Sequence, residues 1–375
     1  MIAYLSLGEQ PSGIYSGQVI DTCKYLSELN AGPIRLFAFI SLRKFFATRK
    51  ALKKQYKYVV VLPMFPKLKY WRFNIILLAC AVIRYRCTSI ICRNSIPTRL
   101  SLFLRKTGLV YKVIYDGRGL EYEQIKEYQV LTDEKLAKEI YKSEKQAVLK
   151  SDFRLAVSSA LVTYWIKNFS FKGDNCLIIP CTLNSTYTDE NKREITRQSI
   201  GCLDDDCILV YAGSISAWQS FKIIFDFIKG QLDANQIIKV LLLTKKMDEI
   251  ENLKRQYPGR MIQIWSAEQD VTSYLKLADY GLLIRENTVT NSVASPVKFA
   301  EYLNAGLNVI ISPVLKDFTE FVKAHACGII LENTPINLQK ISASARAHSL
   351  ALSNNYLNKR SEIITAKYKE LLKHC

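Results

Sequence analysis

In the stretch SPVKFAEYLNAG, residues 295–306, a serine, a lysine and a glutamate fall within two helical turns. Ser295 suits an N-cap, Pro296 the first helical position, and Gly306 a left-handed helix end. Lys298 and Glu301 are three apart, on neighbouring faces. The free N–H groups and dipole at a helix start favour an anion. A lysine in that first turn is unfavourable by itself, by about 0.3–1 kcal/mol, and a bound phosphate reverses the sign. Just upstream, LLIRENTVTNSVA ends a buried strand on Arg285, a second cation for the same anion. The chemistry expected is the seating of a diphosphate, with Glu301 accepting hydrogen bonds from ribose hydroxyls.

Three other clusters sit where strands hand over to loops. YDGRGLEYE carries Asp116 and Arg118, followed by Glu121 and Glu123. Asp116 is a candidate to orient a hydroxyl or take its proton, with Arg118 as its partner or as a phosphate contact; a surface ion pair is the alternative. SLGEQPSGIYSGQV holds Gly8, Gly13 and Gly17. The spacing is neither a dinucleotide fingerprint nor a Walker loop. Gly13 and Gly17 would let backbone approach a ligand closely, and turn formation accounts for them equally well. YAGSISAW ends a strand in Gly213-Ser214, small residues suited to close approach. The histidines, His325, His348 and His374, offer no obvious acceptor-side base. No Asp-x-Asp closes a strand, the Asp204–Asp206 run precedes one, and no metal or other cofactor is expected.

These clusters must be positioned by elements that alternate along the whole chain. IAYLSLG, IRLFAFI, YVVVLP, SIICR, YKVIYD, FRLAVS and LIIPC read as strands in the first half. CILVYAG, IKVLLLT, MIQIWS, YGLLIR, NVIISP and CGIILEN repeat the rhythm in the second. Continuous apolar runs between helical segments suit parallel strands covered on both faces. In such α/β sheets ligands bind at the carboxyl ends of strands. The 375 residues suit two domains: 1–182, which carries the basic excess, and 183–353. The polar segment 182–206 is the expected join. A terminal helix over 354–375 has Tyr356, Leu357, Ile363, Ile364, Tyr368, Leu371 and Leu372 as its apolar set; periodicity leaves open whether it returns to the first domain.

Composition narrows the class. Apolar residues at 49% and charged residues at 23% describe a globular protein. The ten cysteines form no C-x-x-C pair, and no histidine is near the C-x4-C pairs Cys87/Cys92, Cys176/Cys181 and Cys202/Cys207. Buried free thiols in a reducing cytoplasm are therefore expected, not a zinc site. MIAYLSLGEQ lacks the features of a signal peptide, and the apolar run from Phe73 to Ile83 is short of the roughly 20 residues that span a bilayer. The net charge is +18 and unevenly placed. Between Leu29 and Tyr115 there are eighteen Lys and Arg and no acid, which leaves 34 basic against 34 acidic residues elsewhere. Such a field attracts an anionic surface.

At these residues the chain resembles the retaining nucleotide-sugar glycosyltransferases of family 4, of the capsule and lipopolysaccharide type. The resemblance rests on SGIYSGQVIDTCKYL, YDGRG, AVSSALVTYW, YAGSISAWQ, LLIRENT and above all SPVKFAEYLNAGLNVIIS, in this order. It implies the GT-B fold: α/β, two Rossmann-like domains with parallel sheets facing across a cleft. It further implies a nucleoside-diphosphate sugar donor on the second domain, a glycan acceptor on the first, and transfer with retention and no protein nucleophile. Position by position, Glu301 matches the second carboxylate of the family's Glu-x7-Glu motif. The first falls at Val293 and is missing, as is the basic pair expected after Gly213. Gly213, Ser214, Arg285, Ser295, Pro296, Lys298 and Glu301 are thus the donor-site residues. Asp116, Arg285 and Lys298 are the catalytic ones, and Gly13, Gly17 and Arg118 the acceptor-site ones.

The expected activity is a hexosyltransferase-type transfer to a hydroxyl of a lipid-linked glycan in surface polysaccharide synthesis. The acid-free region, where Arg43-Lys44, Arg49-Lys50, Lys53-Lys54 and FPKLKYWRF interleave cations with aromatics, suits peripheral attachment to the inner face of the plasma membrane. A basic nucleic-acid- or membrane-binding module without catalysis is the first competitor, although no nucleic-acid-binding signature occurs and no nucleic acid partner is expected. A nucleotide-sugar epimerase of the same architecture is the second.

Overall fold

The computed structural model describes residues 1–9, 11–184, 195–214, 219–332 and 336–375. The chain forms two compact units: Met1–Asn184 together with Glu362–Cys375, and Ser185–Ser361. Part of the expected join, residues 185–194, and residues 215–218 of the YAGSISAW block lie outside the described residues.

In the first unit the strands are β1 Ile2–Leu7, β2 Arg35–Ile40, β3 Val59–Pro63, β4 Ser89–Arg93, β5 Lys112–Gly117, β6 Phe153–Ala156 and β7 Cys176–Ile178. They pair in parallel in the order β3-β2-β1-β4-β5-β6-β7. Side chains alternate between two cores. Tyr4, Leu36, Ala38, Ile91 and Ile114 enter one; Ala3, Leu5, Phe37, Phe39, Ile90, Cys92 and Val113 enter the other. Each such burial contributes about 1.5–3 kcal/mol for the larger side chains. This two-sided demand is why the strands read as unbroken apolar runs.

The second unit repeats the plan with β8 Cys207–Ala212, β9 Ile238–Leu243, β10 Met261–Gln263, β11 Tyr280–Leu283, β12 Asn308–Ile311 and β13 Gly328–Ile330. Their order is β10-β9-β8-β11-β12-β13, again parallel. In each sheet the strand order reverses beside the first strand of the unit, between β1 and β4 and between β8 and β11. That reversal opens a crevice at the carboxyl ends of the strands.

The helix Val297–Asn304 is seated on the second sheet by its buried face: Phe299, Ala300, Tyr302 and Leu303. The ring of Tyr302 lies where a Cβ on Gly281 would approach within 2.3 Å, so β11 must carry a glycine there. The Tyr302 hydroxyl accepts the Ala212 N–H at 3.2 Å, and Phe299 stacks on Phe318 at 4.1 Å. The helix starts one residue later than the sequence suggests. Pro296 is the N-cap (ψ 127°), Val297 opens the helix, and Gly306 ends the turn with φ +77° as expected.

The carboxyl-terminal helix is shorter than expected, Glu362–Lys373, because residues 353–357 continue the helix Ala343–Leu352 as a π turn that stays with the second unit. Asn358 then turns extended (ψ 128°) and stops it. From Glu362 the chain is back in the first unit. Ile364, Tyr368 and Leu371 join the Tyr4 core, and Lys367 Nζ donates to the Ile178 carbonyl at 2.8 Å.

Candidate active site

In the second unit, the candidate residues gather at the ends of β8 and β11. Tyr211 Oη donates to the Ser214 carbonyl at 2.8 Å, and a Cβ on Gly213 would stand 2.9 Å from that hydroxyl. Glycine at 213 is therefore a packing requirement as well as an opening for a ligand. Arg285, 7% exposed, follows β11. Its N–H donates to Ser312 Oγ at 2.7 Å, and its Nη1 donates to the Gln219 carbonyl at 3.0 Å. The guanidinium thus ties the loop after β11 to the segment after β8, a positioning duty that sequence alone does not reveal. Ser295, 8% exposed, precedes the helix start.

Lys298 and Glu301 lie on the outer face of the helix and pair with each other, their side chains 27% and 30% exposed. The lysine at the helix start is therefore answered within the helix, and needs no bound anion to be tolerated. Both groups are accessible enough to exchange this partner for a ligand: Lys298 for phosphate oxygens, Glu301 for hydroxyls.

In the first unit, Asp116 closes β5 and is 1% exposed. Tyr4 Oη donates to it across 112 positions of sequence. Arg118 brings Nε to 2.9 Å and Nη2 to 3.0 Å of its two oxygens. Burial, and then the Asp116 charge, push the Tyr4 phenol well above its ordinary pKa. Burial opposes the Arg118 charge, but Asp116 and Tyr4 more than restore it. Tyr4, Asp116, Arg118, Thr22 and Tyr368 line a cavity about the size of one water. With two hydrogen-bond donors, an ion pair and almost no surface of its own, Asp116 is built to hold Arg118 and Tyr4.

The loop that presents Arg118 is fixed by two buried carboxyls capping helices. Glu144 accepts the Tyr122 N–H at 3.3 Å at the start of helix Glu121–Tyr128, and Glu121 accepts the Ser95 N–H at 2.9 Å at the start of helix Ser95–Lys106. Burial raises both from the ordinary glutamate value, Glu144 further than Glu121, and for Glu144 the Glu121 charge adds to it. Glu121 is thus a structural cap. Gly13 opens a short helix capped by Ser12, and Gly17 lies in the π turn 16–20 with open space where a Cβ would be. Neither has positive φ; Gly8 (φ +77°) makes the turn.

Sequence reasoning missed several residues near the carboxyl ends of the strands. Arg93, at the end of β4 and 7% exposed, donates its Nε to both carboxylate oxygens of Glu9, at 2.7 and 2.9 Å. Trp265, 66% exposed, follows β10 with Lys245 Nζ 5.4 Å from its ring centre. Ser220 and Asn291 anchor the backbone of Glu286. The signal for Trp265, a bulky aromatic just past a strand end, was legible; the others required knowing which strands become neighbours.

No protein-family model and no curated protein sequence matches the chain. Solved structures do match over its full length. Anabaena HepE in complex with UDP superposes with a TM-score of 0.69 at 14% identity, covering 100% of both chains. The lipopolysaccharide outer core galactosyltransferase WaaB gives 0.66 at 13%, covering 99% of each. A putative UDP-N-acetylglucosamine 2-epimerase from Listeria monocytogenes gives 0.60 at 8%, covering 99% of this chain and 94% of that one. Two parallel sheets of seven and six strands, each with its own crevice, and a terminal helix returned to the first unit, make this a chain of the two-domain, Rossmann-like GT-B fold.

Proposed function

We propose that the chain transfers a hexosyl unit from a nucleoside-diphosphate sugar to a hydroxyl of a lipid-linked glycan, with retention, in surface polysaccharide synthesis. The observation that carries this reading is the Lys298–Glu301 pair on a helix start at the second crevice. On binding, Lys298 turns to the diphosphate and Glu301 to the ribose, alongside the N–H groups of the helix start and the small residues Gly213 and Ser214. As the anomeric C–O bond breaks, negative charge grows on the departing phosphate. Fixed donors are worth most against that charge, because they need not reorganise. Arg285 contributes by holding this crevice together, and the cationic groups make a metal unnecessary. Trp265 offers its face to the base. In the first unit Arg118, set by Asp116, meets the acceptor, with Gly13 and Gly17 on the opposite loop.

The membrane part of the proposal rests on two loops that leave adjacent strands side by side. β2 and β3 pair up to Ile40 and Pro63, and the Met64 N–H donates to the Ile40 carbonyl at 2.8 Å. After them come Leu42 and Phe46, 56% and 81% exposed, and Phe65, Tyr70 and Phe73, 38–53% exposed, with the Phe73 ring tilted against Phe65 at 5.5 Å and Tyr70 at 6.3 Å. Arg43, Lys44, Lys67, Lys69 and Arg72 flank them, with Lys44 and Lys67 both at positive φ. Exposed rings amid cations fit an anionic bilayer surface. Among the described residues no helix is long and apolar enough to cross a membrane.

The test is thermal unfolding with UDP and GDP. One of them, at about 100 times its Kd, is expected to stabilise the protein by about 2.7 kcal/mol. Lys298→Ala should weaken that ligand more than tenfold, since a charge-assisted contact contributes about 1.5–3 kcal/mol. Protection by neither nucleotide at millimolar concentration would end the donor reading. The likeness to an epimerase gives the second reading; release of an epimerised nucleotide sugar without any acceptor would favour it.

A further inference from the structure

A sugar parting from a diphosphate gains positive charge at its anomeric carbon, and its hydroxyls require fixed acceptors to hold the ring in place. The position eight residues before Glu301 is Val293, which is 2% exposed in the core and offers nothing to a sugar. Seven residues earlier on the same loop stands Glu286, two past Ile284, where β11 has just ended at the strand-order reversal. Its backbone is held on both sides. The N–H donates to Ser220 Oγ at 2.9 Å; the carbonyl accepts the Thr288 N–H at 2.9 Å and Asn291 Nδ2, itself on a buried residue, at 3.1 Å. Arg285 beside it is bound back to the Gln219 carbonyl. Its carboxylate, by contrast, is half-buried and takes no hydrogen bond or ion pair among the described residues.

The other acids nearby are engaged or elsewhere. Glu301 is paired with Lys298. Asp279 lies at the amino end of β11, fully buried between Arg197 and Arg346. A carboxylate on a backbone fixed by three hydrogen bonds, with no hydrogen bond or ion pair of its own among the described residues, is preorganised for a ligand.

We propose that Glu286 is the sugar-contacting carboxylate of this chain, accepting hydrogen bonds from hydroxyls of the transferred hexosyl unit. This rests on the donor assignment above. Glu286 forms no bond to the sugar. The anomeric C–O bond breaks with its electron pair going to the diphosphate, the acceptor oxygen forms the new bond, and the acceptor proton leaves on the diphosphate. Glu286 makes and breaks no covalent bond in this step and faces the positive charge that builds on the ring.

The experiment compares wild type, Glu286→Gln and Glu286→Asp as full chains. UDP, GDP and their glucose, galactose and mannose conjugates serve as probes, read by thermal shift and by donor turnover. Glu286→Gln is expected to keep its melting temperature and its affinity for the free nucleoside diphosphate within twofold. It should lose the extra protection that the nucleotide sugar gives over the bare nucleotide, and lower kcat at least a hundredfold. Glu286→Asp should recover part of kcat. Turnover like wild type in Glu286→Gln would overturn the proposal. So would a lowered melting temperature, or nucleotide affinity falling in parallel with kcat, since either assigns the carboxylate to the fold or to the nucleotide. If wild type itself is protected by no probe, the donor assignment has failed, and this one falls with it.

Discussion

Asp116 joins a strand end, a tyrosine from another strand and an arginine two residues on, so removing it leaves the Arg118 guanidinium buried without its counter-charge. Breaking one side of such a pair costs about 3–5 kcal/mol. Asp116→Ala should show that loss in chemical denaturation, and Tyr4→Phe a smaller one of about 1.5–3 kcal/mol for a hydrogen bond to a charged group. A midpoint unmoved by Asp116→Ala would mean the carboxylate is not holding Arg118. The Lys298–Glu301 pair is the opposite case. Half-exposed i,i+3 pairs contribute only about 0.2–0.5 kcal/mol, so these two side chains are free to leave each other at little cost to the fold. A site that must exchange partners needs weak internal pairing.

At the scale of elements, the helices that frame the first crevice start on carboxyls borrowed from other helices. Glu144 lies in the interior of helix Glu134–Lys150, yet it satisfies an N–H at the start of helix Glu121–Tyr128. Its pKa is raised, chiefly by burial and then by Glu121. A carboxyl with a folded pKa above its unfolded one contributes stability that is complete below the unfolded value and is lost as pH climbs through the folded value. Wild type should therefore lose stability relative to Glu144→Gln as pH rises upward from the ordinary glutamate range, because the amide has no charge to bury. Paired melting curves across that rise check it; parallel pH profiles for the two proteins would refute the buried, protonated cap.

At the scale of the whole chain, the excess of positive charge belongs to one stretch of the first unit, while the residues outside it balance. A surface of this kind gains about 1 kcal/mol per basic residue near an anionic leaflet. Co-sedimentation should find the protein on vesicles rich in anionic lipid at low salt and released at high salt, with no binding to neutral vesicles. Replacing Phe46 and Phe73 by serine should weaken the low-salt binding further. Failure to sediment at any ionic strength would remove the membrane assignment and leave the transferase assignment standing.

The sequence alone determined the strands of both sheets, the two-unit plan, the left-handed stop at Gly306 and the position of the charge. Each is written in near neighbours: unbroken apolar runs arise because parallel strands are covered on both faces, and glycine is the residue that takes φ +77° freely. The tertiary structure alone decided the partners. Asp116 found Tyr4 from 112 positions away, and Arg93 found Glu9 across 84. Glu121 became a buried cap, Arg285 a brace, and the terminal helix closed the first core from residue 362 on. Hydrogen bonds and ion pairs of this kind depend on which strands become adjacent. Periodicity along a chain carries no record of that adjacency until the sheet has formed.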